Sequence, residues 1–405
     1  MQHARWPAGK GNQLYRRKVA HEGNTVINLR ERGNTATTTH WVALADRIAE
    51  GTVRTGDRVI FGISGSGQTI GTALYTFDDL PERLRGPAPH RAPEPVRPAR
   101  RPIPAPIRRT ARVRVESVGV LPLPGAPGRT ALEMARCAAE DCLARSTHDR
   151  SEVELLLYAG VYRDEFLCEP AQAAMLAGEL AMNHDVRSPE GRKTLALDVF
   201  NGAVGFLNAC WAATEAILAG KFRTAMVATA EVENNRGPRP DRLLGLRETG
   251  SALILDEDSR GESGFGAFTF TYRADRLDAY RTAGQLGGGV PFLRHERAPD
   301  LHAEYLSLIE QAVRELMAVE RMELARMKAI FPPQLSPQFV GALAARLGVP
   351  RERLVDASRD GDLFTSSLPY ALRQAREQGQ VAAGDLGVLV AVGSGLQVGC
   401  ALYRF

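Results

Sequence analysis

Residues 197–222, LDVFNGAVGFLNACWAATEAILAGKF, have the pattern of a strand, a tight turn of small residues and an amphipathic helix. This pattern is typical of a nucleophile elbow, in which a strand and a helix raise one side chain into a pocket. The raised residue here is Ala203, whose side chain has no reactive atom. The thiol of Cys210 lies seven residues along the helix, about 10 Å away by helical rise. We therefore expect an elbow without a nucleophile and a Cys210 that packs in the core.

Two other groups of residues have side chains that could do chemistry. Glu169–Pro170 precedes an apolar helical pattern, and proline and an acidic residue are both favoured at a helix start. The chain has five cysteines, of which Cys137 and Cys142 could share a helix face. No second pair of ligands completes a zinc site, so we expect no metal.

These residues lie in a region that alternates between strand and helix patterns, which is typical of an α/β fold. The runs VELLLYAG and TAMVATA are apolar on both faces, so they predict strands that are covered on both sides of a sheet. Strands are predicted at 112–120, 152–158, 194–200, 223–230, 250–256, 327–331, 353–357, 386–392 and 397–404. Helices are predicted at 130–145, 170–183, 205–219, 301–319, 337–347 and 365–378.

An internal repeat relates the two ends of the chain. GDRVIFGISGSGQTIGTALYTF at 56–77 aligns without gaps with GDLGVLVAVGSGLQVGCALYRF at 384–405, and 10 of 22 residues are identical at a constant offset of 328. The same offset aligns residues 25–57 with residues 353–385. Since such repeats reflect duplicated structure, the first 85 residues are predicted to be a second copy of the C-terminal part of the chain.

The segment between the two copies, 86–112, has eight prolines, many arginines and one acidic residue. Proline favours extended polyproline geometry, so this composition predicts a semi-rigid linker. We therefore divide the chain into a partial domain at 1–85, a linker at 86–111, and two half-domains at 112–290 and 291–405.

The composition argues against several classes of protein. Of 405 residues, 44% are apolar, and the formal net charge of +4 is too small to favour nucleic-acid binding. The sequence has no apolar run long enough for a membrane span and no apolar secretory segment at its start. The cysteines show no disulfide framework, so we expect a reduced, cytoplasmic protein.

The segments LDVFNGAVGFLNAC, RETGSALILDED and GSGLQVGCALYRF occur in the order of three motifs of ketoacyl synthase III enzymes, and residues 112–405 resemble that family. The resemblance implies a thiolase-like fold, a duplicated α-β-α-β-α layered structure. In the family, a cysteine takes the acyl group from a thioester, and a histidine and an asparagine assist at the second thioester. The closing Gly-rich turn, which helps to stabilise the oxyanion, would be Gly393, Ser394 and Gly395.

The chain departs from the family at each catalytic position of this region. The cysteine aligns with Ala203, the histidine with Pro332 or Pro333, and the asparagine with Asp362. Three such replacements together predict that the chain alone does not condense acyl thioesters.

The N-terminal copy retains a motif that the C-terminal copy has lost. Asn34, in Gly-Asn-Thr, aligns with Asp362 at the 328 offset, and His3 precedes Asn34 by 31 residues, close to the family's histidine-to-asparagine spacing. His21 is nearer but aligns with Val349. Because this copy lacks the half that carries a nucleophile, His3 and Asn34 are interpreted as remnants of a catalytic motif.

The resemblance gives Glu169 a second interpretation. In relatives that condense two acyl chains head to head, a Glu-Pro pair lies on a loop that crosses the dimer interface, and the glutamate acts as a base in the neighbouring subunit. Glu169–Pro170 matches that pair. A base acting in trans and an ordinary helix start both remain open.

These features predict a non-catalytic subunit of a ketoacyl synthase III-like condensing enzyme in fatty acid or secondary-metabolite biosynthesis. Its predicted partner is an active homologue in a heterodimer, or a second copy in a homodimer, and acyl carrier protein is a further candidate. No cofactor is expected, since the family's substrates are thioesters of coenzyme A or acyl carrier protein. The alternatives are an active acyltransferase that uses Asp362 as a base, and a scaffold that binds acyl carriers.

Overall fold

The protein is described by a computed structural model that covers residues 21, 24–26, 28–33, 35–65, 69–86, 111–122, 128–182, 193–357 and 361–405. The chain divides into two compact units, Met1–Arg100 and Arg101–Phe405. Each unit is described by itself.

The first unit contains a β-hairpin with a helix against it. Its elements are α1 (Leu29–Arg32), a 3-10 turn (Ala36–Thr38), α2 (Thr39–Ala49), β1 (Arg58–Gly65), β2 (Thr69–Thr76) and α3 (Leu80–Arg85). β1 and β2 pair antiparallel. In α2, His40 Nε2 lies 2.8 Å from Gly62 O of β1, and the rings of Trp41 and Phe61 are 6.0 Å apart.

The second unit contains eleven described strands and six described α-helices. In chain order they are β3 (Arg112–Val120), α4 (Ala131–Ala144), β4 (Leu155–Tyr158), α5 (Gln172–Glu179), β5 (Leu195–Asp198), α6 (Gly205–Leu218), β6 (Thr224–Glu231), β7 (Thr249–Asp258), β8 (Gly264–Tyr272), β9 (Tyr280–Gly287), β10 (Val290–Arg297), α7 (Leu301–Glu320), β11 (Ala329–Phe331), α8 (Pro337–Leu347), α9 (Ser367–Glu377), β12 (Leu386–Gly393) and β13 (Gln397–Arg404).

Two sheets form the framework of the second unit. The first has the order β3-β7-β6-β4-β5, with β4 parallel to both of its neighbours and the other pairs antiparallel. The second has the order β11-β12-β13-β8, in which only β11 and β12 are parallel. β9 and β10 form a separate antiparallel hairpin.

Three hydrophobic clusters show how the helices cover these sheets. One cluster contains α6 and α9 together with one face of each sheet, so these two helices lie between the sheets. A second cluster packs α4 and α5 on the outer face of the first sheet. A third packs α7 and α8 on the outer face of the second sheet. The predicted α-β-α-β-α layers are thereby confirmed.

The two strands expected to be covered on both faces are completely buried. Every residue of β4 and every residue of β6 is buried. Alternate residues of both strands belong to the inner cluster and to the outer cluster, as expected for a sheet with helices on each side. These apolar runs were therefore read correctly from the sequence.

The strand predicted at 353–357 is wrong. A 3-10 turn occupies Arg351–Arg353, and the segment makes only a single bridge, between Leu354 and Ile330. The side chain of Gln334 takes the place of a ladder, because its Nε2 donates to Val355 O at 3.0 Å and its Oε1 accepts from Ala357 N at 2.6 Å. A side-chain amide thus satisfies backbone groups that a neighbouring strand would otherwise bind.

Strands β8, β9 and β10 were not predicted. At least half of the residues of β9 and of β10 are exposed, so neither shows the apolar alternation that marks a half-buried strand. β8 pairs with β13 in the second sheet, although it precedes the predicted half-domain boundary at residue 290. The boundary itself stays a prediction.

Candidate functional site

The predicted elbow joins β5 to α6 and has Ala203 near its apex. Gly202 has a φ of +53°, a conformation that favours glycine. A Cβ at Gly202 would lie 2.9 Å from Ser394 Oγ, so the elbow packs closely against the turn between β12 and β13. Gln397 joins the same two parts, since its Nε2 donates to Asn201 Oδ1 at 3.2 Å and to Ser394 O at 2.9 Å.

A cavity of about 220 Å³ opens at this elbow, and Ala203, Pro333, Asp362 and Gly393 all line it. Residues from four separate parts of the sequence therefore meet in one place. Of the two prolines that could align with the family's histidine, Pro333 lines the cavity and Pro332 does not. The remaining wall is largely apolar, with residues such as Phe206, Leu244, Leu301, Leu335, Leu368 and Val392.

Among the described residues that line this cavity there is no cysteine. Cys210 is 1% exposed and packs in the cluster between the two sheets, as expected for a core residue. Burial raises the pKa of its thiol far above the ordinary value. Because a thiolate is the nucleophilic form of cysteine, Cys210 is not placed or charged to act as one.

The loop of Pro333 is fixed by the next residue, Gln334. Gln334 is fully buried, and its Nε2 donates to Pro332 O at 2.8 Å as well as to Val355 O. The backbone O of Gln334 accepts from Leu363 N at 3.3 Å, next to Asp362. Gln334 thus fixes the loop of Pro333 through its side chain and bonds to the loop of Asp362 through its backbone.

The closing turn contributes less to the cavity than expected. Gly393 O accepts a hydrogen bond of 2.7 Å from the hydroxyl of Tyr305. The N–H of Gly395 donates to Tyr280 O at 2.9 Å, so the protein itself engages this donor. Gly395 therefore does not offer an oxyanion donor in this structure, whereas the roles of Gly393 and Ser394 stay predictions.

Asp362 is the only acidic residue among the described residues of the cavity wall. Its Oδ1 accepts from Phe364 N at 2.8 Å, and its backbone O accepts from Arg247 N at 2.8 Å. Burial raises the pKa of its carboxyl to about 6, while the nearby guanidinium of Arg297 opposes this rise. The carboxyl therefore changes its protonation state close to neutral pH, which suits a general base or a hydrogen-bond donor.

A second buried carboxyl lies next to the cavity wall. Glu231, at the end of β6, is fully buried and accepts from Thr365 Oγ1 at 2.6 Å and from Tyr162 N at 2.6 Å. Burial raises the pKa of Glu231 to about 7 despite these hydrogen bonds. Since Thr365 lines the cavity, the Glu231 carboxyl supports its wall.

Sequence reasoning missed two of these residues. Glu231 had a visible signal, because it ends an otherwise apolar strand in TAMVATAE. Arg297 had none, because its strand β10 was not predicted. Its position in the wall depends on the pairing of β10 with β9, where Arg297 lies opposite Tyr280.

Glu169 lies outside the cavity of its own chain. It is exposed, on the loop between the 3-10 turn Asp164–Phe166 and α5. The carboxylate of Asp198, at the end of β5, accepts from Gln172 N at 3.1 Å and Ala173 N at 2.9 Å, which anchors the start of α5 beside the elbow strand. The loop of Glu169 is therefore attached to the edge of the first sheet, and a role in trans stays a prediction.

His3 and Asn34 lie outside the described residues. Within the described part of the chain, no group of three or more histidine, cysteine or acidic side chains is arranged to hold a metal ion. None of the described helices combines the length and apolar character needed to cross a membrane.

The sequence matches one family model over two segments and matches known enzymes over about two thirds of the chain. The family model of the 3-oxoacyl-[acyl-carrier-protein] synthase III C-terminal region matches residues 12–77 and again 317–405. The chain is 25% identical over 281 residues to beta-ketoacyl-[acyl-carrier-protein] synthase III of Aquifex aeolicus, covering 67% of this chain and 83% of the relative. It is 27% identical over 297 residues to the enzyme of the same name from Rhodobacter capsulatus, covering 69% and 86%.

Solved structures show the same fold. The 3-oxoacyl-[acyl-carrier-protein] synthase III of Aquifex aeolicus has a TM-score of 0.59 at 20% identity, covering 72% of this chain and all of that one. Xanthomonas campestris OleA, solved with bound lauric acid and lauroyl-CoA, has a TM-score of 0.61 at 17% identity, covering 73% and 99%. The predicted thiolase-like fold is confirmed, and the chain is similar in sequence to ketoacyl synthase III enzymes.

Proposed function

We propose that this chain is a non-catalytic subunit of a ketoacyl synthase III-like condensing enzyme, and that an active, cysteine-bearing homologue supplies the chemistry. The observation that carries the proposal is the cavity at the elbow, which is lined by Ala203, Pro333 and Asp362. These are the positions that the sequence resemblance aligns with the family's cysteine, histidine and asparagine. Without a thiol in the wall, the cavity has no group to hold an acyl chain as a thioester.

The relatives' names indicate the substrate class. Beta-ketoacyl-[acyl-carrier-protein] synthase III enzymes, to which this chain is similar, support a place in fatty acid biosynthesis with acyl thioesters as substrates. The carrier in the proposed complex is coenzyme A or acyl carrier protein. The chain would shape the complex and its substrate path and leave acylation to its partner.

The edge of the first sheet supports a subunit interface. β5 is the last strand of its sheet, and its residues Leu195 and Leu197 are 44% and 38% exposed. Phe200 after the strand and Trp211 on α6 are 67% and 45% exposed. An apolar edge strand of this kind favours pairing with another chain. We infer that the edge pairs with the active homologue, and more weakly with a second copy.

Glu169 is proposed to act at this interface. Its loop is anchored to the end of β5 through Asp198, so it lies on the side of the subunit that the edge strand presents. In the complex, Glu169 would accept a proton from the substrate bound in the partner's cavity.

The first experiment asks whether the chain alone forms an acyl-enzyme. The purified protein is incubated with an acyl-CoA, and intact mass and product formation are measured. We expect no mass increase and no turnover by the wild type, and acylation of Ala203→Cys, where a thiol at the start of α6 gains nucleophilicity from the helix N-terminus. Turnover by the wild-type chain above that of a mock purification would contradict the proposal.

The second experiment tests the interface with a matched pair of variants. The chain is co-expressed with a cysteine-bearing homologue encoded by a neighbouring gene, and the complex is measured by native mass spectrometry. Leu197→Lys should abolish the complex, whereas Leu286→Lys, at a site 77% exposed on the separate β9–β10 hairpin, should leave it intact. Separate monomers in the wild-type sample would contradict the pairing.

The third experiment tests Glu169 in the reconstituted complex. Glu169→Gln should lower the condensation rate by about 10²-fold, the usual scale for the loss of a general base, without loss of association. Glu165→Gln, on the same exposed stretch, is the control for charge and should leave the rate unchanged. A wild-type rate in Glu169→Gln would show that this residue only starts a helix.

A second candidate function is supported by Asp362. A carboxyl with a pKa of about 6 in the cavity wall has the proton affinity of a general base, so direct acyl transfer to a bound acceptor is the alternative. In that case the wild-type chain turns over without an acyl-enzyme, and Asp362→Asn abolishes the activity.

A further inference from the structure

The cavity at Ala203 contains an arginine that has no carboxylate partner among the residues that the structure describes. Arg297, the last residue of β10, lines the wall. Its guanidinium lies 5.0 Å from the centre of the Tyr280 ring, and its Nη2 donates to Leu244 O at 3.3 Å. Among the described residues, no carboxylate oxygen lies within 4.0 Å of this guanidinium. The paired N–H donors of the guanidinium are therefore not taken up by a described carboxylate.

Asp362 lines the same cavity but does not neutralise Arg297 through a direct ion pair. The described hydrogen bond of its side chain is the one from Phe364 N to Oδ1. Burial raises the pKa of Asp362 to about 6, so its carboxyl is protonated in weakly acidic solution. In that state it can donate a hydrogen bond to an anion beside it. Below about pH 6, the wall thus combines the fixed positive charge of Arg297 with an uncharged carboxyl that does not repel an anion.

The hydroxyl groups of the wall are engaged within the protein. The bonds are those from Tyr305 to Gly393 O (2.7 Å), between Tyr280 and Tyr162 (3.2 Å), from Thr365 to Glu231 (2.6 Å), and from Gln334 N to Ser367 Oγ (3.3 Å). The remaining polar group is the imidazole of His302, an exposed residue at the start of α7. The charge of Arg297 is therefore the main polar determinant of what the cavity accepts.

The rest of the wall is suited to a short hydrocarbon. Phe206, Leu301 and Leu368 form apolar surface close to the small side chain of Ala203. A volume of about 220 Å³ is below the usual range for drug-sized ligands, so a long acyl chain does not fit within it. A guanidinium binds a carboxylate through two parallel hydrogen bonds, a geometry that a neutral thioester or amide does not provide.

We propose that this cavity binds a short-chain carboxylic acid through its free carboxylate, which pairs with the guanidinium of Arg297, while its hydrocarbon lies against the apolar wall at Ala203. The bound molecule is not a thioester and is not attached covalently. The inference rests on the cavity alone and does not depend on the proposed pairing with an active homologue.

The test is calorimetric titration of the full chain with sodium hexanoate, with hexanamide as an uncharged ligand of the same length. We expect hexanoate to bind and hexanamide not to. Arg297→Gln should weaken hexanoate by about tenfold or more, the scale of a lost hydrogen bond to a charged group. Arg297→Lys, which keeps the charge but loses the paired donors, should give an intermediate affinity.

The matched control is Arg294→Gln. Arg294 lies on the same strand, its guanidinium pairs with Glu296, and it does not line the cavity, so this variant removes the same charge without touching the site. Its affinity for hexanoate should equal that of the wild type, with thermal melts confirming that each variant is folded.

Three results would overturn the proposal. These are equal affinities for hexanoate and hexanamide, equal losses in Arg294→Gln and Arg297→Gln, and no heat of binding by the folded wild type up to about 10 mM hexanoate. If Arg297→Gln does not fold, two measurements still test the proposal. They are the affinities of the wild type for hexanoate and for hexanamide, and the affinity of Arg297→Lys for hexanoate. Because no thioester is present, these outcomes are separate from the failure of the proposed function.

Discussion

The two copies of the internal repeat have the same local structure in different surroundings. At the 328-residue offset, the β1–β2 hairpin pairs residue for residue as β12–β13 does, from Arg58 opposite Thr76 and from Leu386 opposite Arg404. Helices α2 and α9 begin at equivalent positions and each have 11 residues. The 3-10 turns before them also coincide.

The surroundings differ in burial. Every residue of β12 is buried, because it lies between β11 and β13 in the second sheet with helices on both faces. Leu402 and Tyr403 are 1% and 0% exposed, while the equivalent Leu74 and Tyr75 are 56% and 47% exposed. The comparison shows that the two copies form the same hairpin register, whereas the stabilisation of that hairpin by burial differs between them.

Truncation gives the largest expected contrast between the copies. Residues 112–405 alone should be soluble and melt cooperatively, because both sheets and all three hydrophobic clusters of the second unit lie within them. Deletion of residues 386–405 should abolish folding, because it removes two adjacent strands of the second sheet. Expression, solubility and circular dichroism melts check both. An insoluble 112–405 fragment would show that the first copy supports the second unit.

Substitution of equivalent leucines gives the next largest contrast. Leu402→Ala should lower the free energy of unfolding by about 2–5 kcal/mol, through lost transfer energy and the cavity that remains. Leu74→Ala, the same change at an exposed position, should cost within about 0.5 kcal/mol. Urea unfolding measures both values. Equal losses would mean that the first hairpin is as well covered in solution as the second.

Asp362→Asn gives the C-terminal copy the residue type that the N-terminal copy has at position 34. The folded-state pKa of Asp362, about 6, is above the ordinary value of 3.8, so the native state binds the proton more tightly than the unfolded chain. This stabilisation is complete below the ordinary pKa and is lost as the pH rises through the folded pKa. In the wild type, this loss should lower the free energy of unfolding by about 2 kcal/mol between about pH 4 and pH 7. Asp362→Asn should not show this decrease.

Urea unfolding of wild type and Asp362→Asn across this pH range measures the difference. The free energy of unfolding of the variant should still fall somewhat as the pH rises. The reason is Glu231, whose raised pKa of about 7 also stabilises the native state at low pH and no longer does so at high pH. Parallel curves for the two proteins would contradict the raised pKa of Asp362.

The equivalent threonines Thr365 and Thr37 should give the smallest contrast. Thr365 Oγ1 donates to the buried Glu231, so Thr365→Val should lower the free energy of unfolding by about 1.5 kcal/mol. Thr37 is exposed, and Thr37→Val should change the free energy of unfolding by less than about 0.5 kcal/mol. Urea unfolding at neutral pH checks the pair. A loss in Thr37→Val as large as in Thr365→Val would indicate that Thr37 also has a buried partner.

Patterns of period and spacing predicted most of the fold. The helix at 337–347 and the strand at 112–120 have the predicted bounds, because buried faces impose their periodicity on the sequence. The elbow at Ala203 was also predicted, since a turn of small residues between a strand and a helix permits a tight turn such as the one at Gly202, whose φ is +53°. The predicted cavity residues Ala203, Pro333 and Asp362 do line one cavity. Ala203 follows β5, Pro333 follows β11, and Asp362 lies in the loop before α9.

The parts that could not be predicted depend on long-range pairing. Arg297 reaches the cavity only through the β9–β10 hairpin, and that hairpin is too exposed to show an apolar pattern. The failure at 353–357 has a similar cause, because the side chain of Gln334, about 20 residues away, replaces the strand ladder. Neither contact is encoded in the local sequence.

The shared hairpin register has a consequence for how the chain acquires its structure. During synthesis, β1–β2 leaves the ribosome long before β12–β13, and it presents the same pairing pattern to the second sheet. The growing chain therefore exposes an early competitor for the position beside β11 and β8 until the cognate hairpin arrives. Faithful folding then depends on residues that differ between the copies, such as Val390 in place of Gly62, whose larger apolar side chain favours the late hairpin in the core.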